Sequence, residues 1–166
     1  YNGGRYLAAQ LESIIAQTYT QLEIIISDDA STDDTLAIAQ QYAGRDSRIV
    51  LLRHEQNVGL HANLGAALAQ ARGEYIAISD QDDIWMPHKL SYTINKISKL
   101  DAAKSFLYCA RTTYVSSDAK KILGHSDLFL KRPSFKNALI QSLAGGNTMC
   151  FKTHECKITH FNRMIN

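Results

Sequence analysis

Proline is scarce in this sequence, two residues in 166, and cysteine (three) and tryptophan (one) are also few. So little proline excludes a fibrous or proline-rich extended chain. Cys109, Cys150 and Cys156 are odd in number, and the step from Cys150 to Cys156 is too wide for a CxxC pair; the neighbouring His154 and His160 add only a weak metal constellation. Inert thiols in a reducing compartment are the simpler reading, which suggests a cytoplasmic setting. No charge sign dominates: Lys+Arg 18 against Asp+Glu 16 leaves +2. Basic residues are scattered apart from pairs such as Lys120-Lys121 and Lys131-Arg132, so nothing argues for a nucleic-acid partner. No apolar run approaches a membrane-spanning length and no signal peptide is visible. Any membrane association would therefore be peripheral.

What is present is an ordinary globular composition, 45% hydrophobic and 20% charged, of a length that suits one domain with a sizeable core. Both ends are abrupt: "YNGGRYL" is a turn feeding a helix with no strand before it, and "FNRMIN" closes in mid-pattern. A domain truncated at both ends is the expectation.

Leu7, Leu11, Ile14 and Ile15 mark one face of a helix over 5–18. "LEIIIS" (22–27) reads as a buried strand, and a helix follows "STDD", capped by Ser31 or Thr32 with Asp33 and Asp34 at its positive end. "RIVLLR" (48–53) is a second strand. Leu60, Leu64, Ala67, Leu68 and Ala71 give a helix ended by Gly73 as a C-cap. "EYIAIS" (74–79) is a third strand, Pro87 opens a helix with Leu90, Ile94 and Ile97 on its face, and "FLYCARTTYV" (106–115) is a later strand. This alternation predicts an α/β fold: a mostly parallel sheet with helices on both faces. Ligands of such sheets sit beyond the carboxyl ends of the strands. "SDDAS" and "SDQDD" both fall there.

Asp80 and Asp82 are separated by one residue, so on a chain that continues extended their side chains share a face. Such a pair suits Mg²⁺ or Mn²⁺ bridging a diphosphate, because these ions take one or two protein carboxylates and fill the rest with phosphate and water. A solvated loop capping the next helix is the equally weighted alternative, and Asp83 reads as its turn residue. Asp28 and Asp29 point to opposite faces of an extended chain, so only one reaches the cleft. There it would accept from a nucleobase N–H, unless the pair merely starts the helix. Tyr1, at the sheet rim beside Gly3 and Gly4, is placed to stack on a base, although any tight turn uses the same letters.

Taken in order, "YNGGRYL", "IIISDDASTDDT", "NVGLHANLGAAL", "ARGEYIAISDQDDIWMPHKL" and "GGNTMCF" resemble the family 2 glycosyltransferases, closest to the bacterial branch with rhamnosyltransferase-like enzymes of surface polysaccharide synthesis. The resemblance runs from the first residue to about Phe151. It implies the GT-A fold, with a nucleotide-binding Rossmann-like sheet, and inverting transfer from a nucleotide-diphospho-sugar, a UDP- or dTDP-sugar, to a saccharide or lipid-linked acceptor. By the same resemblance Tyr1 lies beside the base, Asp29 takes the base N–H, Asp80 lies near the ribose and metal shell, and Asp82 ligates the ion. Asn57, Gly59 and Asn63 match a segment that shapes the donor pocket.

Inverting transfer builds negative charge on the departing diphosphate, which a divalent cation stabilises, and needs a carboxylate base for the acceptor hydroxyl. In the family that base lies well downstream of a segment like "GGNTMCF". Here Glu155 is the nearest late acid, and "KTHECK" reads better as a helix start. The expectation is a donor half-site with its base outside the chain and its first strand missing. Two other readings stand beside it, a non-catalytic sugar-nucleotide-binding module and a receiver-like phosphoacceptor domain. The receiver places its acidic pair after the first strand and needs a late strand-end Lys, which fits less well.

Overall fold

A computed structural model describes residues 1–101, 106–127 and 145–153. The apolar face expected near the start forms helix α1, Gly4–Ile15, with Leu7, Leu11 and Ile14 buried. Strand β1, Ile24–Asp28, pairs in parallel with β2, Ile49–Arg53, with Ile24 opposite Ile49 and Asp28 opposite Arg53. Helix α2, Thr35–Ala43, is the crossover between them. Helix α3, Leu60–Gln70, packs back on β1. Beyond it come β3, Tyr75–Ala77, and helix α4, Lys89–Ile97.

The core joins Leu7, Leu11 and Ile14 of α1 to Ala39 and Tyr42 of α2, Ile24, Ile49 and Trp85. Each large side chain there contributes about 1.5–3 kcal/mol by leaving water. Tyr42 also donates its hydroxyl to Glu12 at 2.8 Å, tying α2 to α1. No α3 residue joins this cluster, so helices cover β1 on two sides. Yet none of the α3 residues is buried, despite the apolar face of Leu64, Ala67 and Leu68.

The sheet is mixed. The parallel expectation holds for β1 and β2, whereas β3 pairs antiparallel with β7, Met149–Lys152, which also pairs antiparallel with β4, Leu107–Cys109. A hairpin of β5, Thr113–Val115, and β6, Ile122–His125, stands apart. The run 106–115 thus makes two strands in different sheets. Periodicity identified its residues as strand formers and carried no information on their partners.

Three boundaries move for identifiable reasons. α2 starts at Thr35 and not after Ser31 or Thr32, because 29–34 is a loop whose polar groups bond to Asn2 and Gly4. α3 ends at Gln70, ahead of Gly73; the Arg72 and Gly73 N–H groups donate to the Glu23 carboxylate, at 2.5 and 3.0 Å. Pro87 precedes His88, the N-cap of α4, and so lies outside its first turn. Cys109 is free and exposed; Cys150 is free and buried, its thiol pushed up to about 11 by that burial. Cys156, His154, His160 and Glu155 lie outside the described residues. No described helix is long and apolar enough to cross a membrane.

Candidate functional site

Between β1 and β3 runs a groove of about 1240 Å³, floored by apolar side chains of α1, α3 and both strands. Its polar rim holds Tyr1, Asp28, Asn63, Asp80, Gln81 and Asp82. The two acidic loops therefore meet at one opening, beyond the carboxyl ends of β1 and β3.

The first loop is closed on itself. Asp28 is 2% exposed; its Oδ2 accepts from the Ser31 N–H at 3.1 Å, while Oδ1 is buried without a partner. Asp29, 3% exposed, turns the other way, as alternation along the strand requires. Its Oδ1 accepts from Val58 N–H at 2.7 Å and its Oδ2 from Gly59 N–H at 3.0 Å. Asn57 Nδ2 donates to the Asp29 carbonyl at 3.3 Å. Gly59 has φ +84, which a side chain tolerates poorly, and this bend lets α3 begin at Leu60. Asn63 and Ser27 exchange two hydrogen bonds, at 2.5 and 3.1 Å. Asp28, and not Asp29, borders the groove. Asp29 instead organises the 57–59 segment beside it.

The second loop is open. β3 ends at Ala77, and Asp83 N–H reaches back to the Asp80 carbonyl at 3.3 Å, so 80–83 is a turn and not the extended continuation expected from the spacing. Asp80 and Asp82 still reach one groove, through the turn and not through strand alternation. Both are exposed, and neither carboxylate accepts a hydrogen bond from a described residue. Partial desolvation beside the groove, then repulsion from Asp83 and Asp82, pushes the Asp80 carboxyl up from its ordinary value. Asp83 accepts from Asn147 Nδ2, which fits a turn residue. Among the described residues no three His, Cys, Asp or Glu side chains converge as a metal cage. Two unpartnered, mutually repelling carboxylates are what an ion with a largely phosphate and water shell requires, and the pair fits Mg²⁺ or Mn²⁺ on that ground.

Sequence reading missed the residues that hold the second loop. Gln10 Nε2 donates to Ser79 Oγ at 2.9 Å and to the Asp80 carbonyl. Trp85 N–H donates to Ser13 Oγ at 3.0 Å. Gln17, 3% exposed, donates to the Met86 carbonyl at 2.8 Å and accepts from Leu90 N–H at 3.0 Å. Gln10, Ser13 and Gln17 recur at helical spacing, which was the available signal. Gly3 at the other end of α1 packs on Gln81, and a Cβ there would lie 3.0 Å from that side chain. α1 thus braces both acidic loops.

Comparison with known proteins agrees with this arrangement. The profile of "Glycosyl transferase family 2" matches residues 1–161. The UDP-Glc:alpha-D-GlcNAc-diphosphoundecaprenol beta-1,3-glucosyltransferase WfaP of Escherichia coli is 37% identical over 118 residues, 71% of this chain and 45% of WfaP. S. aureus TarS in complex with UDP superposes with a TM-score of 0.70 at 22% identity, over 96% of this chain and 46% of TarS. The mannosyltransferase PcManGT of Pyrobaculum calidifontis, in complex with GDP-Man and Mn²⁺, superposes at 0.63 and 22% identity, over 92% of this chain and 42% of PcManGT. The chain spans 33–45% of the length of the first curated relatives it matches. At such identities the two structures establish the fold, which is GT-A, and the sequence match establishes the rest: the chain belongs to glycosyl transferase family 2.

Proposed function

We propose that this chain binds a nucleotide-diphospho-sugar, a UDP- or dTDP-sugar, at the groove rim and serves inverting, metal-dependent transfer to a saccharide or lipid-linked hydroxyl in surface polysaccharide or glycolipid synthesis. The observation that carries this reading is the pair of unpartnered carboxylates, Asp80 and Asp82, on the rim of a groove in a family 2 chain. Asp82, with Asp80, would hold Mn²⁺ or Mg²⁺, which would offset the charge left on the departing diphosphate. Tyr1, half-exposed at the rim, takes the base face. Asp29 and Asn57, set beside the groove and not on its lining, would meet the base edge through the 57–59 segment that they organise. Each Asp29 oxygen has a second lone pair left after Val58 and Gly59, enough for one base N–H. No described residue is assigned as the acceptor's base, and Glu155 lies outside the described residues.

Residues 1–166 form one domain in this reading, and its expected first strand fits the groove floor between β1 and β3. Three features support that seat: the partnerless Asp28 Oδ1 and Trp85 Nε1, the uncovered face of α3, and the separate pairing of β1 and β3. In a longer form of the protein, amides on the groove edge of β1 would then resist hydrogen exchange. Rapid exchange there would remove this part of the proposal.

Calorimetric titration tests the main reading. UDP or dTDP should bind with Mn²⁺ and far more weakly with chelator, and Asp82→Ala should abolish the difference. Unchanged metal dependence in that variant would overturn the assignment. Donor hydrolysis, measured with and without acceptor, separates an enzyme from a binding module.

A further inference from the structure

The acidic loop is also held on the side away from α1, by a lysine with no role so far. Lys89, at the start of α4, places its ammonium 3.8 Å from the centre of the Trp85 ring and donates to the Asn147 carbonyl at 2.9 Å. Asn147 in turn donates Nδ2 to the Asp83 carboxylate, and Asp83 N–H closes the turn onto Asp80. Close to Asn147 in the chain, Met149 accepts from Ile78 N–H at 3.2 Å, just before the acidic residues. Lys89, Asn147 and Asp83 therefore form a chain of contacts that pins the outer edge of the turn to the strand entering the sheet.

An apolar residue would fill the space against Trp85 without the penalty of burying an ammonium. That penalty is visible here, because desolvation pulls the Lys89 amine down to about 8 although Asp83 and Asp80 oppose it. A charge kept at such a place does something that packing alone does not. Charge arithmetic indicates what that is. Asp80, Asp82 and Asp83 carry three negative charges and Lys89 offsets one, leaving two, the complement of a single divalent cation.

We propose that Lys89 is a positioning residue. Through Asn147 it fixes Asp83, and so presents Asp80 and Asp82 to a divalent cation in one geometry. The cation part rests on the donor reading above; the clamp itself does not.

The test uses the whole chain and the variants Lys89→Met, Lys89→Arg, Asn147→Ala and the Met/Ala double. Hydrogen exchange should quicken over 79–86 in Lys89→Met and in Asn147→Ala while 24–53 keeps its wild-type protection. With saturating UDP, the Mn²⁺ half-saturation read from the free-ion EPR signal should rise roughly tenfold or more in either single variant, the scale seen when outer contacts to metal ligands are cut. The double variant should add little, and Lys89→Arg should stay near wild type. Wild-type exchange over 79–86 in both single variants would overturn the clamp, as would faster exchange spread evenly along the chain. A quickened loop with unchanged Mn²⁺ half-saturation would remove the presenting role. If wild type shows no Mn²⁺-dependent UDP binding, the donor reading fails and exchange alone decides the clamp.

Discussion

Two loops in this molecule open on nearly the same letters, Ser-Asp-Asp across the end of β1 and Ser-Asp-Gln-Asp-Asp after β3, and they use their carboxylates in opposite ways. In the first, both aspartates are buried and accept backbone N–H groups. In the second, Asp80 and Asp82 are exposed, partnerless and mutually repelling. A carboxylate surrounded by N–H donors holds a fold together, whereas one left without donors and crowded by its own kind awaits a positive charge. The contrast predicts that substitutions in the first loop reduce stability and those in the second reduce binding.

The largest effect should come from Asp29→Ala. Two charge-assisted bonds to Val58 and Gly59 would be lost, each of about 1.5–3 kcal/mol. Urea unfolding should therefore show a loss of about 3 kcal/mol or more. A loss below about 1 kcal/mol would mean that the 57–59 segment holds its shape unaided.

Asp82→Ala should do the reverse. Its unfolding free energy should stay within about 0.5 kcal/mol of wild type, since no described partner is lost. Its Mn²⁺-dependent affinity for UDP should fall at least tenfold, about 1.4 kcal/mol. Lost stability with retained affinity would break the comparison between the loops.

Local sequence pattern revealed the first of these contrasts only in part. Alternation said that Asp28 and Asp29 diverge, and they do. It could not say that Asp29 would meet Val58 and Gly59, because that contact spans 29 residues and depends on where α3 begins. The elements up to Ile97 were legible because their apolar spacing is local. The antiparallel union of β3 with β7 was not, since pairing is set by chain segments far apart. The acidic pair was legible as chemistry but not as geometry: the 79–86 loop is held by Gln10, Ser13 and Gln17, polar side chains that a search for apolar faces passes over.

A smaller effect tests how tightly the first loop is held. Ala30, between its aspartates and Ser31, has φ +59, a conformation that disfavours a side chain. Ala30→Gly relieves that strain and loses part of the gain to unfolded-state entropy, for a net stabilisation of about 0.5 kcal/mol. Gly59→Ala, at φ +84, should cost roughly 1–2 kcal/mol instead. Both are read from urea midpoints. If Ala30→Gly destabilises, the loop depends on the rigidity that alanine brings.

The finest test is in pH, where carboxylates of the two kinds differ in sign. Asp46, outside both loops, is a carboxylate held by donors: hydrogen bonds from the Arg48 side chain, then its backbone, lower its carboxyl to about 2 from an ordinary 3.8. Its folded value lies below its unfolded one, so the stability it adds is present above about pH 4 and is lost as the pH falls toward 2. Asp46→Asn should thus be slightly less stable than wild type at pH 7, and the two should converge in acid. Asp80 is shifted upward, so its ionised form opposes folding at neutral pH and the opposition is relieved as the pH falls through its folded value. Asp80→Asn should be slightly more stable than wild type at pH 7 and converge with it from above. Both effects are small because solvent screens exposed charges. Their opposite signs, in unfolding midpoints measured at both pH values, still distinguish a carboxylate that supports the fold from one that the fold holds ready for a cation; two variants moving the same way would show that hydrogen-bonded and donorless carboxylates do not differ in this way here.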